Sequence, residues 1–412
     1  MTAVAFPAAS PHPGMGFRQF VALIAAIMAV NAFAIDSMLP ALAAIGDSLH
    51  IGSENGRQWI ITAYLLGFGG AQIVYGPLAD HFGRKPVLLV GLSLYTLFAA
   101  VAACSTSFET MIAARALEGV GAASSRVLAV SIVRDCYAGR SMARVMSVAF
   151  IVFMAVPVLA PSIGQAIVLV APWSMIFVVQ ALFGAVTMLW TLRLPETLHP
   201  EDRNPFEPRR VLAAFRISLS SRIAVGYMLA MTMMLGSLFG FINSAQQLFF
   251  DVFQAPRLFP LVFAGVASFM AVSSLLNSRI VERLGMRLLS HTALMGYITA
   301  ASIHAAIAFT GHETIWTFAV LQSCMMFCFG MVGSNFGAMA MEPLGHVAGT
   351  ASSVQGVVTT VGGALIGFFI GQHFDGTAVP LTLGFAGCGL SAFLIVLVTE
   401  RGRLFRPPVG RR

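Results

Sequence analysis

The sequence predicts an all-α membrane protein: twelve transmembrane helices in two six-helix bundles, with both termini on the cytoplasmic side. Three observations predict it. Of 412 residues, 58% are hydrophobic and only 10% charged, with a mean hydropathy of +0.84, whereas a soluble domain carries about 25% charged residues. Twelve windows of about 20 mainly apolar residues, the length that crosses a bilayer, follow one another along the chain. The longest polar segment, residues 193–222 with Pro195, Pro200, Pro205 and Pro208, falls between the sixth and seventh windows and divides the chain in half.

Residues 1–16 are a Pro- and Ala-rich cytoplasmic tail with no cleavable signal peptide, because the apolar run that follows is long enough to span. The first bundle, residues 17–192, holds spans near 17–40, 57–78, 86–105, 110–133, 143–166 and 171–192. Residues 193–221 form a cytoplasmic linker. The second bundle, residues 222–400, holds spans near 222–249, 257–280, 288–310, 314–339, 348–372 and 378–399, and residues 401–412 are a basic tail.

Charge placement tests this order. With both termini inside, only Arg57 and Arg257 fall outside and Arg115 and Arg126 within spans, which leaves 20 of the 24 Lys and Arg residues on the cytoplasmic side. Cytoplasmic loops carry such an excess. The net charge of +7 is therefore a matter of topology, and nucleic acid is not an expected partner. Cys104, Cys136, Cys324, Cys328 and Cys388 are scattered, with no His or second Cys pair to complete a metal site.

Between the second and third spans lies GPLADHFGRKP, residues 76–86. Gly76 and Gly83 allow positive φ and close helix approach, and Asp80, Arg84 and Lys85 put charge into a very short turn. The pattern acid-x-x-Gly-x-base returns half a chain later as Glu282-Arg283-Leu284-Gly285-Met286-Arg287, at the same place in the second half. Internal repeats with a midplane site between them are a common secondary-transporter architecture.

Four ionisable groups fall at membrane depth: Asp36 on span 1, and Arg115, Glu118 and Arg126 on span 4. Such groups are costly there and mark function. At about 1.5 Å per residue, Asp36, Arg115 and Glu118 all lie in the outer half, so Asp36 and Arg115 meet if their helices are neighbours. Arg115 and Glu118, three apart, share a face. Burial and a neighbouring guanidinium act on a carboxyl in opposite senses, which suits a group that loads and releases protons: Asp36 or Glu118 as carrier, Arg115 tuning it. The other reading is a permanent ion pair locking span 1 to span 4. Arg126 lies three turns nearer the cytoplasm and can snorkel there.

The second half offers neutral polar groups instead: Asn243, Gln246, Gln247, Asn277, His304, Gln322, Asn335 and Gln355. Most such groups satisfy one another between helices. Gln246, Asn335 and Gln355 are the candidate ligand contacts, and His304 reads as a packed histidine. The 33 Phe and 22 Met suit a cavity that repacks around varied ligands.

Several stretches resemble a known family. Residues 76–86 are similar to the G-x-L-a-D-r-x-G-R-K-x signature of the major facilitator superfamily, with His81 where Arg is frequent. AIDSMLPAL, residues 34–42, looks like the end of span 1 in bicyclomycin/chloramphenicol-resistance (Bcr/CflA-type) transporters. RALEGVGAA, residues 115–123, resembles the span-4 motif of proton-coupled drug exporters, with Glu118 replacing the usual Gln, and IVRD at 132–135 continues it. PVLAPSIG, residues 157–164, resembles the antiporter signature through Pro157, Pro161 and Gly164, with Ala160 and Gln165 replacing usual glycines. GTASS at 349–353 resembles the opening of span 11.

The resemblance implies the major facilitator fold and a proton-coupled antiporter that exports small organic molecules, including phenicol- or bicyclomycin-like drugs, by alternating access. It implies a monomer in a bacterial inner membrane, driven by the proton gradient with no cofactor or metal. Asp36 and Arg115 occupy positions that take part in proton and drug coupling in such relatives. The turn at Gly76, Asp80, Gly83, Arg84 and Lys85 would brace one conformation. The alternative is a dedicated proton-coupled transporter of a single sugar, amino acid or siderophore. A channel would show rings of carbonyls or charges. A membrane enzyme would show a Ser/His/Asp or HExxH arrangement. Neither pattern is evident.

Overall fold

The computed structural model describes residues 15–137, 139–203 and 208–405, so most of the two expected tails lies outside the described residues. Twelve helical spans are long and apolar enough to cross a membrane. An even number of spans puts residues 15 and 405 on one side, the terminal side; the other is the far side.

The first half comprises α1 (Phe17–Asp36), α2 (Leu42–Ser48), α3 (Trp59–Phe82), α4 (Arg84–Ala103), α5 (Phe108–Cys136), α6 (Gly139–Val170) and α7 (Ser174–Thr191). The polar linker contains α8 (Pro208–Ser220), which packs on the second half. That half comprises α9 (Arg222–Gln247), α10 (Phe259–Leu284), α11 (Met286–Phe309), α12 (Ile315–Met341), α13 (Ala348–Gln372) and α14 (Val379–Thr399). Helices pack chiefly within their own half, and the halves meet along α3 with α13 and α6 with α10. Leu169, Leu182, Leu261, Val320, Phe369 and Val398 point outward and exposed, a belt suited to lipid.

Span 1 differs most from expectation. It runs Phe17–Ser48 rather than ending near residue 40, and it breaks after Asp36. Pro40 explains the break. Its ring removes the N–H that would bond the Asp36 carbonyl and crowds that carbonyl, four residues earlier. A short 3-10 turn, Leu39–Ala41, bridges α1 to α2. The motif region of residues 76–86 is also more helical than a loop: α3 continues through Pro77 to Phe82, α4 starts at Arg84, and Gly83 alone turns the chain at φ +102°.

The two turns repeat in structure as well as in sequence. Arg84 donates to Asp80 Oδ1 (2.5 Å) and to Asp135 Oδ2 (3.0 Å) at the end of α5. Glu196, just after α7, accepts from the Arg84 and Lys85 backbone N–H groups at 2.8 and 3.2 Å, so a carboxylate caps the positive end of α4. Lys85 Nζ holds the Leu192 carbonyl at 2.7 Å. In the second half Gly285 turns at φ +81°, and Arg287 reaches Glu400 Oε1 (2.8 Å), after α14, and Glu342 Oε2 (3.5 Å), after α12. Each half thus fastens the turn after its second span to acids at or just beyond the ends of its fourth and sixth spans.

Candidate functional site

Between the halves lies a cavity of about 610 Å³. Its wall runs from Asn31, Ile35, Phe68 and Phe239 to helix ends at Asp80, Arg84, Arg134 and Gly349, so it opens on the terminal side. Phe150, Phe153, Met231 and Leu235 supply apolar surface, and Gln72, Gln355, Thr359 and Thr360 supply polar groups. Gln72 Nε2 reaches across the halves to Thr360 Oγ1 at 3.4 Å.

The far side is closed by uncharged groups. Gln58 Nε2 donates to Gln247 Oε1 (2.8 Å) and the Gly371 carbonyl (2.9 Å). Gln247 Nε2 donates to Asn55 Oδ1 (2.8 Å), Asn55 Nδ2 to the Gln372 and Phe374 carbonyls (both 3.0 Å), and Gln372 Nε2 to the Asn55 carbonyl (2.7 Å). The Trp59 and Phe368 rings cover this latch, 4.2 Å apart. Each hydrogen bond contributes about 1 kcal/mol net, so the latch holds yet can open without separating charges. Gln58→Ala removes the central pairings and is expected to raise the population open on the far side roughly five- to tenfold. Spin labels at Glu54 and Asp375, both exposed beside the latch, should then report a longer distance; an unchanged distribution refutes this role.

Above the cavity, on the far-side half of span 1, sits the ionic site. The break leaves carbonyls of the last turn of α1 without intrahelical donors. Arg115 Nη2 and Gln180 Nε2 both donate to the Ala34 carbonyl, at 3.2 and 3.3 Å. Gln180 also reaches Ser37 Oγ (2.9 Å), which donates to the Phe33 carbonyl (2.6 Å). A cation and a side-chain amide therefore complete the negative end of the broken helix.

Arg115 is fully buried, its guanidinium 4.3 Å from the Tyr64 ring centroid and 5.6 Å from that of Phe177. Its Nη1 donates to Glu118 Oε2 at 2.8 Å, and Nε approaches the Ile60 carbonyl at 3.4 Å. Glu118 is also fully buried, and its second oxygen accepts no hydrogen bond among the described residues. The expected meeting of Asp36 with Arg115 does not occur. Spans 1 and 4 are neighbours, but Arg115 spends its donors on Glu118 and on backbone, contacting span 1 two residues before the acid. Asp36 is 5% exposed and enters no ion pair or hydrogen bond among the described residues. Because span 1 continues to Ser48, Asp36 lies roughly 18 Å before its end, well inside the span rather than near its rim.

The candidate ligand residues divide. Gln355 lines the cavity and donates to the Gly337 carbonyl at 3.3 Å. Asn335 is buried against Asn277 at 2.7 Å, and Gln246 is buried with its Nε2 unbonded among the described residues. Neither lines the cavity, nor do Asp36 and Arg115. His304, read as packed, bonds Glu313 Oε1 at 2.5 Å. Arg126 does not snorkel away to the helix end but is exposed in the cavity wall. The latch residues Asn55, Gln58 and Gln372, and the cavity amides Asn31 and Gln72, had no sequence signal beyond being amides in or beside apolar spans.

Pro157 and Pro161 lie inside α6, and Gly164 is buried against the span-1 break. A Cβ on Gly164 would come within 1.8 Å of the Ser37 carbonyl oxygen. Gly164→Ala must push α6 off the break, at a cost of about 1–3 kcal/mol. The purified variant should melt at a lower temperature than the wild type, and an equal melting temperature contradicts this packing.

Residues 22–367 match the Major Facilitator Superfamily. The chain is 28% identical over 374 residues to a bicyclomycin resistance protein homolog of Haemophilus influenzae, spanning 90% of this chain and 93% of that one. It is 25% identical over 391 residues to the multidrug resistance protein MdtL of Salmonella heidelberg, spanning 94% and 96%. Among solved structures, the xylose transporter XylE from E. coli, in a partially occluded inward open conformation, shares the fold with a TM-score of 0.71 over 96% of this chain and 99% of that one, at 11% identity. The family and these relatives are transporters and not enzymes. With its motifs, its twelve spans and its central cavity between two bundles, the chain belongs to the major facilitator superfamily and is a multi-pass membrane transporter.

Proposed function

We propose that the protein is a proton-coupled antiporter that exports small organic molecules, drugs among them, across a bacterial inner membrane, with the terminal side cytoplasmic. The excess of Arg on the terminal side supports the orientation. The names of its relatives, a bicyclomycin resistance homolog and a multidrug resistance protein, support the substrate class.

The observation that carries the reading is Asp36: a carboxyl buried at a helix break and engaged in no ion pair among the described residues, near an Arg already neutralised by Glu118. A lone ionised carboxylate in that setting is costly, so its charge must change when its surroundings change. Substrate enters the cavity from the cytoplasm and weakens the union of the halves on that side. The halves rock, the amide latch parts, and the far side opens. Asp36 takes up a proton there as substrate leaves, and the neutral carboxyl permits the return. Facing the cytoplasm again, it releases the proton. Arg115 and Glu118 keep the broken end of α1 fixed throughout, and the Arg84 and Arg287 clusters let each half move as a body.

The test uses sealed vesicles with an imposed pH gradient and a panel of phenicols, bicyclomycin, dyes and single metabolites. Efflux of several unrelated drugs that stops when a protonophore collapses the gradient supports the reading. Transport indifferent to the gradient overturns it, and transport of one metabolite alone favours a dedicated carrier.

A further inference from the structure

The Arg residues of the first half are not treated alike. Arg115 is paired with Glu118, and Arg84 with Asp80 and Asp135. Arg126, midway along α5, is exposed in the cavity wall and has no ion pair or hydrogen bond among the described residues. Arg134 lies on the same side of the helix, eight residues on and roughly 12 Å nearer the mouth, also exposed and without a partner among the described residues. Among the described residues lining the cavity the one acid is Asp80, which Arg84 holds at 2.5 Å. Everything the second half contributes to the wall is neutral, including Ser353, Gln355, Thr359 and Thr360.

The cavity is therefore a positive site with one deep, unpartnered guanidinium. An Arg that faces a water-filled cavity within a span marks a substrate path and ordinarily finds an acidic partner. Among the described residues, no side chain of the wall supplies one. We propose that the substrate does: the cavity recognises organic anions, in which a carboxylate or an equivalent oxyanion docks on Arg126 while an apolar body lies against Phe150, Phe153 and Phe239. The planar fork of Arg bonds a carboxylate through two parallel N–H donors. A volume of about 610 Å³ accommodates one drug-sized molecule of this kind. Arg134 at the mouth draws anions inward, as a charge lining a low-dielectric cleft does.

The proposal rests on the cavity being the substrate site, but not on proton coupling, so it is tested without a gradient. Three probes share one dansyl fluorophore and carry a carboxylate, the matching carboxamide or a primary amine. Their binding to the purified full-length protein in detergent is read by fluorescence. The wild type should bind the carboxylate at least tenfold more tightly than the amide, and the amine weakest. Arg126→Gln should erase the carboxylate-over-amide ratio, while Arg126→Lys, which keeps the charge but loses the fork, should retain part of it. If Arg126→Gln fails to fold, the wild-type ranking and the Lys variant decide. A wild type that binds the amide or amine as well as the carboxylate overturns the proposal, as does a ratio unchanged in Arg126→Gln or in Arg126→Lys. Tight carboxylate binding in a protein that ignores the pH gradient would uphold this inference and sink proton coupling alone.

Discussion

Replacing Arg115 with alanine is expected to cost about 3–5 kcal/mol, the usual penalty for breaking a buried pair and stranding the partner. Glu118 would be left fully buried, with neither oxygen bonded by Arg115. The Ala34 carbonyl would lose one of its two side-chain donors, and Tyr64 and Phe177 would lose the cation stacked on them. Little of the variant should reach the membrane in folded form, and what does should melt far below the wild type in detergent. The double variant Arg115→Met/Glu118→Met separates structure from coupling. Removing both charges avoids the stranded carboxylate, so it should recover much of the lost stability. A double variant as unstable as Arg115→Ala contradicts the view that the pair is a structural strut.

Asp36→Asn should be nearly neutral for folding, because the side chain accepts no hydrogen bond and joins no ion pair among the described residues and sits at a break already completed by Arg115 and Gln180. Its effect on transport should be large. Gradient-driven efflux in sealed vesicles is expected to fall roughly 100-fold or more, since the buried carboxyl that, among the described residues, is free of an Arg at this level is gone. Downhill exchange of substrate for substrate, which needs no net proton movement, should persist. Loss of both activities together would point to a structural fault in Asp36→Asn, and retention of both would remove Asp36 from the mechanism.

The two expectations divide roles that sequence alone left joined. The spacing of Arg115 and Glu118, three residues on one helix, put them on one face, and depth along the spans put Asp36, Arg115 and Glu118 in the same outer half. Which carboxyl takes the guanidinium was not legible, because it depends on the break at Pro40. That break exposes the Ala34 carbonyl, turns the end of α1 into a partner for Arg115, and carries the span on to Ser48. Of the two glycines read as free to take positive φ, Gly83 does so and Gly285 repeats it in the second half, whereas Gly76 stays helical inside α3; the partner acids beyond each turn appear only once the fourth and sixth spans are folded against it. The cavity read least well. In this chain the faces toward lipid and toward the cavity are both apolar, so periodicity does not separate them. Asn335 and Gln246 look from sequence like Gln355, yet only Gln355 reaches the cavity. The latch at Asn55, Gln58, Gln247 and Gln372 joins residues more than 180 positions apart and becomes visible only when the halves are docked.

Coupling turns on a single acid, Asp36, that exchanges its proton as cargo binds. Substrate added to the purified protein in weakly buffered detergent should displace that proton, and the release is read directly with a pH-sensitive dye. The wild type should release protons in proportion to bound substrate, and Asp36→Asn should bind substrate while releasing none. Equal release from Asp36→Asn, or no release from the wild type at saturating substrate across neutral pH, contradicts the account.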